Sequence, residues 1–133
     1  MYSKLRPWLI AQLVWLAIAV IFNGIGIINI SNGDRALIGD TPEKALIACL
    51  PFAFVILAGF LRWDKVYRFL TPILLVSLAI GGFARHLIAA QSSEGMASYS
   101  SDLAWWSAVL INGYGTLVLA AGLYLAWKYR RIL

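Results

Sequence analysis

Residues 8–30 read WLIAQLVWLAIAVIFNGIGIINI, a run of 23 positions without Asp, Glu, Lys or Arg. A helix rises about 1.5 Å per residue and a bilayer's hydrocarbon core is about 30 Å thick, so about 20 consecutive apolar residues suffice to cross it. Lys4 and Arg6 precede the run, as in a secretory leader, but it is long and ends without an Ala-x-Ala-like cleavage site. It predicts a retained first span. Pro7 stands where a first-turn proline is tolerated.

Three further stretches of this kind follow. The second is expected over 42–61, with Thr41 as N-cap, Pro42 at the first helical position and a kink at the internal Pro51. The third repeats the device with Thr71 and Pro72 and is expected over 72–90. The fourth, over 103–127, follows Ser101 and Asp102, both capping residues. Segment 62–70 mixes Trp63 and Tyr67 with three cations and predicts a short interfacial connection. Segments 31–40 and 91–102 are rich in Ser, Gly, Asn and Asp and predict polar, flexible turns. The 133 residues form one domain, and 62% hydrophobic against 13% charged residues, with a mean hydropathy of +0.80, argue against a water-soluble globule.

Charge placement predicts orientation. Eight of the eleven basic residues lie in three patches: Lys4 and Arg6; Arg62, Lys65 and Arg68; Lys128, Arg130 and Arg131. The other two connections hold five of the six acids, Asp34, Asp40, Glu43, Glu94 and Asp102. Cations stay on the cytoplasmic side of a membrane, so the expectation is an all-α integral membrane four-helix bundle, up-down-up-down, with both termini cytoplasmic. The net charge of +5 then belongs to anionic headgroups, not to nucleic acid. A fixed orientation disfavours antiparallel dimers and leaves a parallel homo-oligomer or a larger membrane complex open.

Polar groups inside spans are costly and mark the bundle interior or a wet cavity. Asn23, Gly24, Ile25 and Gly26 in the first span echo Asn112, Gly113, Tyr114 and Gly115 in the fourth. By the helical rise both asparagines lie about 10 to 14 Å deep. One reading makes these segments packing devices, with glycines admitting a close helix and asparagines bonding across the contact; Gly24, Gly26, Gly81, Gly82, Gly113 and Gly115 are the packing candidates. The third span ends Gly-Gly-Phe-Ala-Arg-His over 81–86, where Ser77, Gly81 and Arg85 share one face and Ala79, Gly82 and His86 the adjoining one. The other reading is an outward-facing pocket with Arg85 as anchor for an anion or carbonyl and His86, Asn23, Asn112 and Tyr114 around it. Alternatively, Arg85 snorkels and pairs with Asp102, Glu94 or Asp34 while His86 meets headgroups.

Catalytic chemistry finds little footing. One His and one Cys, Cys49, on different helices cannot form a zinc ligand set, and Ser77 has no recognisable base. The expectation is no catalytic residue, no metal and no cofactor. All six acids lie in loops or at helix ends, which argues against proton-coupled transport. The interfacial aromatics include Trp105, Trp106, Tyr67 and Tyr99, with Trp105 and Trp106 alternatively lining the mouth of a pocket, and Trp15 is the tryptophan placed deep in a span.

The basic-aromatic turn Arg62, Trp63, Asp64, Lys65 and the third-span ending Gly81, Gly82, Phe83, Ala84, Arg85 resemble small bacterial four-helix membrane proteins distantly like the DoxX type, over roughly 45–90. Pro42, Glu43 and Lys44 stand where that resemblance implies an acidic-aromatic motif. It implies a fold and a bacterial inner membrane, and no substrate. The expected role is non-enzymatic: binding of membrane lipid, a quinone-like molecule or another small amphipathic or anionic ligand, as a transport or complex subunit. The alternative is a structural or assembly subunit docking on another membrane protein through its glycine-rich first and fourth spans.

Overall fold

The structure, a computed structural model, describes residues 2–129; Arg130 and Arg131 of the last basic patch lie outside the described residues. Four helices are long and apolar enough to cross a membrane. The first is α1 (Tyr2–Ser31), which starts earlier than expected and carries Pro7 inside it. Next comes α2 (Pro42–Phe60), opened by Pro42, which has no N–H to leave unpaired at a helix start. Thr41 makes no side-chain capping bond, and Pro51 lies inside the helix as expected.

The third crossing departs most from expectation. It begins at Asp64, so α3 (Asp64–Ser77) absorbs the segment expected to be interfacial and leaves Pro72 internal. Thr71 is not a cap; its hydroxyl donates to the Tyr67 carbonyl one turn back. Only 61–63 join α2 to α3, through Arg62 at φ 60°. The Arg62 amide donates to the Gly59 carbonyl (3.2 Å) and the Trp63 amide to Ala58 (2.8 Å), so the left-handed residue closes the helix end that glycine usually closes. Beyond α3 the chain winds wider, as a π-helical segment (Leu78–Ala84), before α4 (Arg85–Ala89). The connection expected to be a flexible turn contains α5 (Ser93–Met96), whose Ser92 hydroxyl accepts from the Gly95 amide. The last helix, α6 (Asp102–Lys128), is capped by Ser101, which accepts from the Ala104 amide at 3.1 Å.

α1 packs on α2 and α6, α3 on α2 and α6, and the π segment on α6. One apolar cluster holds Leu5, Leu9, Val55, Tyr67 and Ala126; another holds Trp15, Leu16, Ile56, Leu78, Val118 and Leu119. Between them the fully buried Gln12 donates through Nε2 to the Tyr67 hydroxyl (2.7 Å) and the Val118 carbonyl (3.0 Å). Gly122 leaves the room for this: a Cβ there would collide with both the Gln12 amide and the Tyr67 hydroxyl. Gly115 likewise admits the Trp15 indole, and Gly59 admits Leu9. Gln12 Oε1 and Trp15 Nε1 have no partner among the described residues.

At the opposite end the two long connections are joined. Ile38 and Tyr99 form an antiparallel bridge, Gly39 donates to the Ser98 carbonyl (2.7 Å), and Ser100 donates to Leu37 (3.0 Å). The outer faces are apolar, with Ile21, Ile47, Phe69, Ile73, Leu110 and Leu117 each more than 60% exposed. Water tolerates no such surface on this scale, whereas acyl chains do.

Gly122→Ala and Gly115→Ala should each lower stability by roughly 1–3 kcal/mol through overpacking, while Gly24→Ala should stay within about 0.5 kcal/mol, since nothing lies within 4 Å of a Cβ there. Thermal unfolding in detergent followed by circular dichroism distinguishes them; equal losses at Gly24 and Gly122 would refute this packing.

Candidate functional site

α2 rests on α1 and α3, whereas the π segment and α4 turn to α6, and α2 and the π segment share the apolar cluster of Ile56 and Leu78 without packing along their length. The gap between these walls is a cavity of about 570 Å³. Pockets for small molecules commonly hold roughly 300–1,000 Å³. Its back is made by α1 and α6 through Trp15, Phe22, Asn23, Ile111 and Asn112. Ala45, Ala48, Cys49 and Phe52 of α2 form one side, and Ser77, Gly81, Gly82, Arg85 and His86 the other.

Each wall follows from local sequence. Small residues at 45, 48 and 49 keep the α2 face shallow, and Gly81 leaves open space where a side chain would stand. Gly82 serves differently. A Cβ on it would strike the Asn112 side chain, so the π segment and α6 meet there at the back of the cleft. Wider winding is frequent at functional sites because it re-aims side chains without breaking the helix.

Of the five ligand-binding candidates, Arg85, His86, Asn23 and Asn112 line the cavity. Tyr114 does not; it is turned toward α1, its hydroxyl 3.5 Å from the Ala11 carbonyl. The asparagines do not bond across the helix contact as the packing expectation had it. Asn23 Nδ2 donates to Ala19 and Asn112 Nδ2 to Ala108, each at 2.8 Å within its own helix. Their amides are thereby fixed. Among the packing candidates, Gly26 faces Pro42 at 3.2 Å and Gly113 faces the Phe83 ring at 3.1 Å, while Gly24 and Gly81 have no neighbour within 4 Å of a Cβ.

His86 is buried rather than turned to headgroups. Its Nδ1 is paired with the Tyr99 hydroxyl at 2.6 Å, and its carbonyl accepts from Trp105 Nε1 at 2.8 Å. Tyr99 is itself 6% exposed. Burial pushes its phenol above the ordinary value while the Arg85 guanidinium pulls it down, and with the net shift upward it stays protonated through the neutral range. By sequence both aromatic partners read as interface anchors. No spacing rule reveals their role, because the contact joins the ends of α4 and α6 to the connection between them.

The cations stand apart. Arg85 makes no ion pair with Asp102, Glu94 or Asp34, and neither Arg85 nor Lys44 makes a side-chain hydrogen bond among the described residues. Lys44, also lining the cavity, was not singled out by sequence because a charge near a helix start reads as a solvated end. No cluster of three or more His, Cys, Asp or Glu that can hold a metal occurs among the described residues. Ser77 and His86 both line the cavity but stand nine residues apart on one crossing, about 13 Å by the helical rise, and His86 Nδ1 is engaged with Tyr99. No family model, curated protein or solved structure matches this chain.

Tyr99→Phe should lose the bond to His86 at a cost of about 1 kcal/mol and loosen the 92–100 connection. Faster amide hydrogen exchange at Gly39 and Ser100, which bridge the two connections, is the expected signature; unchanged exchange there would show that the phenol does not hold them.

Proposed function

We infer that this protein is a non-enzymatic, multi-pass membrane protein that binds a small lipid-like, quinone-like or anionic ligand in the cleft between α2 and the π segment. The observation that carries this reading is the convergence of Arg85, His86, Asn23 and Asn112 on one cavity of about 570 Å³. A guanidinium without a carboxylate partner, fixed amides and an apolar floor form a polar anchor beside a greasy wall, the usual composition of a ligand pocket. The proposed role of such a cleft on a spanning bundle is that of a transport or complex subunit.

The proposed topology is up-down-up-down in a bacterial cytoplasmic membrane, with both termini cytoplasmic and the cleft toward the outer face. Its support is the asymmetry of basic residues between the two sets of connections. The DoxX-like resemblance is proposed for the fold alone, on the Gly-Gly-x-x-Arg element that falls on the cleft wall. Docking on another membrane protein through glycine faces draws less support, since Gly113 and Gly115 are filled by Phe83 and Trp15 of the same chain.

Two measurements test this. In a Cys49→Ala background, a cysteine at Asn32 should react with an impermeant maleimide on intact cells and one at Lys65 only after permeabilisation; the reverse pattern would overturn the topology. Protein extracted in mild detergent should carry a co-purifying small molecule by mass spectrometry, lost on Arg85→Ala with the fold retained. Equal retention by the variant would remove Arg85 from the site.

A further inference from the structure

The cleft has a charge and a shape that narrow its occupant. Both cations that line it, Lys44 on α2 and Arg85 on α4, belong to opposite walls, and no Asp or Glu lines it. Lys44 lies two residues into α2 and Arg85 four residues before the end of α4, so both stand within about 3 to 6 Å of their helix ends by the helical rise. That is the edge of the hydrocarbon core for a helix as short as α2, from which long cationic side chains reach the headgroup phosphates. The start of α2, with the positive end of its dipole, opens on the same space through Thr41 and Pro42. Below this polar rim the lining changes character, to Phe22, Phe52, Leu78 and Ile111.

The unpacked side matters as much. Ala48, Ser77 and Gly81 are exposed at the gap between the walls, and the neighbouring outer faces carry Ile47, Leu50, Val76 and Ile80, each more than half exposed. A soluble anion would find cations at the rim but no use for an apolar cavity open sideways. A neutral quinone would use the apolar part and leave two charges unmatched.

Resting on the reading of this cleft as a ligand site, we propose that its occupant is an anionic phospholipid, whose phosphodiester lies between Lys44 and Arg85 while its acyl chains leave through the gap between α2 and the π segment. Arg85 supplies a planar fork for two phosphate oxygens, and Lys44 a point charge for the second side of the group. Thr41 adds a hydroxyl at the same rim. The lipid enters laterally from the leaflet, with no passage through water.

The experiment is native mass spectrometry of the full chain in detergent, titrated with phosphatidylglycerol, with phosphatidylcholine of the same chains, and with glycerol 3-phosphate. Phosphatidylglycerol should be held about tenfold or more tightly than phosphatidylcholine, since each cation near a headgroup contributes on the order of 1 kcal/mol. The double variant Lys44→Gln/Arg85→Gln should erase that preference, whereas Lys65→Gln/Arg68→Gln, at the other end of the bundle, should keep it. Gly81→Leu, at a position where a Cβ meets nothing within 4 Å, should reduce retention of either lipid. Equal retention of the two lipids, both lost on Gly81→Leu, would overturn the charge assignment and leave the cleft as a ligand site. Glycerol 3-phosphate binding as tightly as the lipid would make the occupant a soluble anion and overturn the proposal. Lipid retention unaffected by both Gly81→Leu and the Lys44/Arg85 pair would overturn the proposal together with the cleft reading.

Discussion

One buried amide ties this bundle together. Gln12 reaches from α1 to the Tyr67 hydroxyl on α3 and the Val118 carbonyl on α6, in a volume that exists because position 122 has no side chain. In hydrocarbon an amide that misses its partners is left unsatisfied, at a cost of about 1–3 kcal/mol or more, so the three helices have one favourable relative placement at that level. Apolar contacts alone do not supply this, because lipid tails solvate a leucine as well as another helix does. The register of α1, α3 and α6 is therefore set by a polar contact inside an apolar frame, and the two apolar clusters on either side of Gln12, which bring in α2 through Val55 and Ile56, pack to match it.

The cleft follows from where such ties are placed. At one end the Gln12 contact ties α1 to α3 and α6, and the short reversal at 61–63 holds α2 close to α3; at the other, the bridge between Ile38 and Tyr99 joins the two long connections. Between these fastenings α2 and the π segment have different partners, and nothing in their small facing residues closes the space. His86 belongs to the second fastening rather than to the cavity alone, since Tyr99 and Trp105 both bind it. It thus links the form of the pocket to the connections above it.

Hydropathy made the four crossings legible because the solvent imposes them: a polar backbone in lipid must be helical, and length does the rest. Finer features depended on which force acted locally. Thr41 and Pro42 mark a true helix start, yet the same pair at 71 and 72 lies mid-helix, because Tyr67 is drawn into the core by Gln12 and the helix must already be wound there. Asn23, Asn112, Arg85 and His86 were readable as groups that lipid excludes, and they do converge. Their partners were not. The choice of Ala19 and Ala108 over a cross-helix bond, and of Tyr99 for His86, is made by three-dimensional proximity that no linear spacing encodes. Lys44 is not legible in the sequence either, because a charge near a helix start has the pattern of a solvated end.

The π segment carries one last implication, for how such a chain tolerates change in length. An α-helix turns about 100° per residue, so removing a single residue between 78 and 84 while restoring ordinary winding would let everything before and after keep its axial position nearly unchanged. What the shortened helix would lose is the bulged turn that carries Gly81 and Gly82 between the cleft and Asn112. The extra residue is thus a spare that a crossing of fixed thickness can absorb or shed, and homologues of this architecture can differ by one position there without resizing the membrane segment.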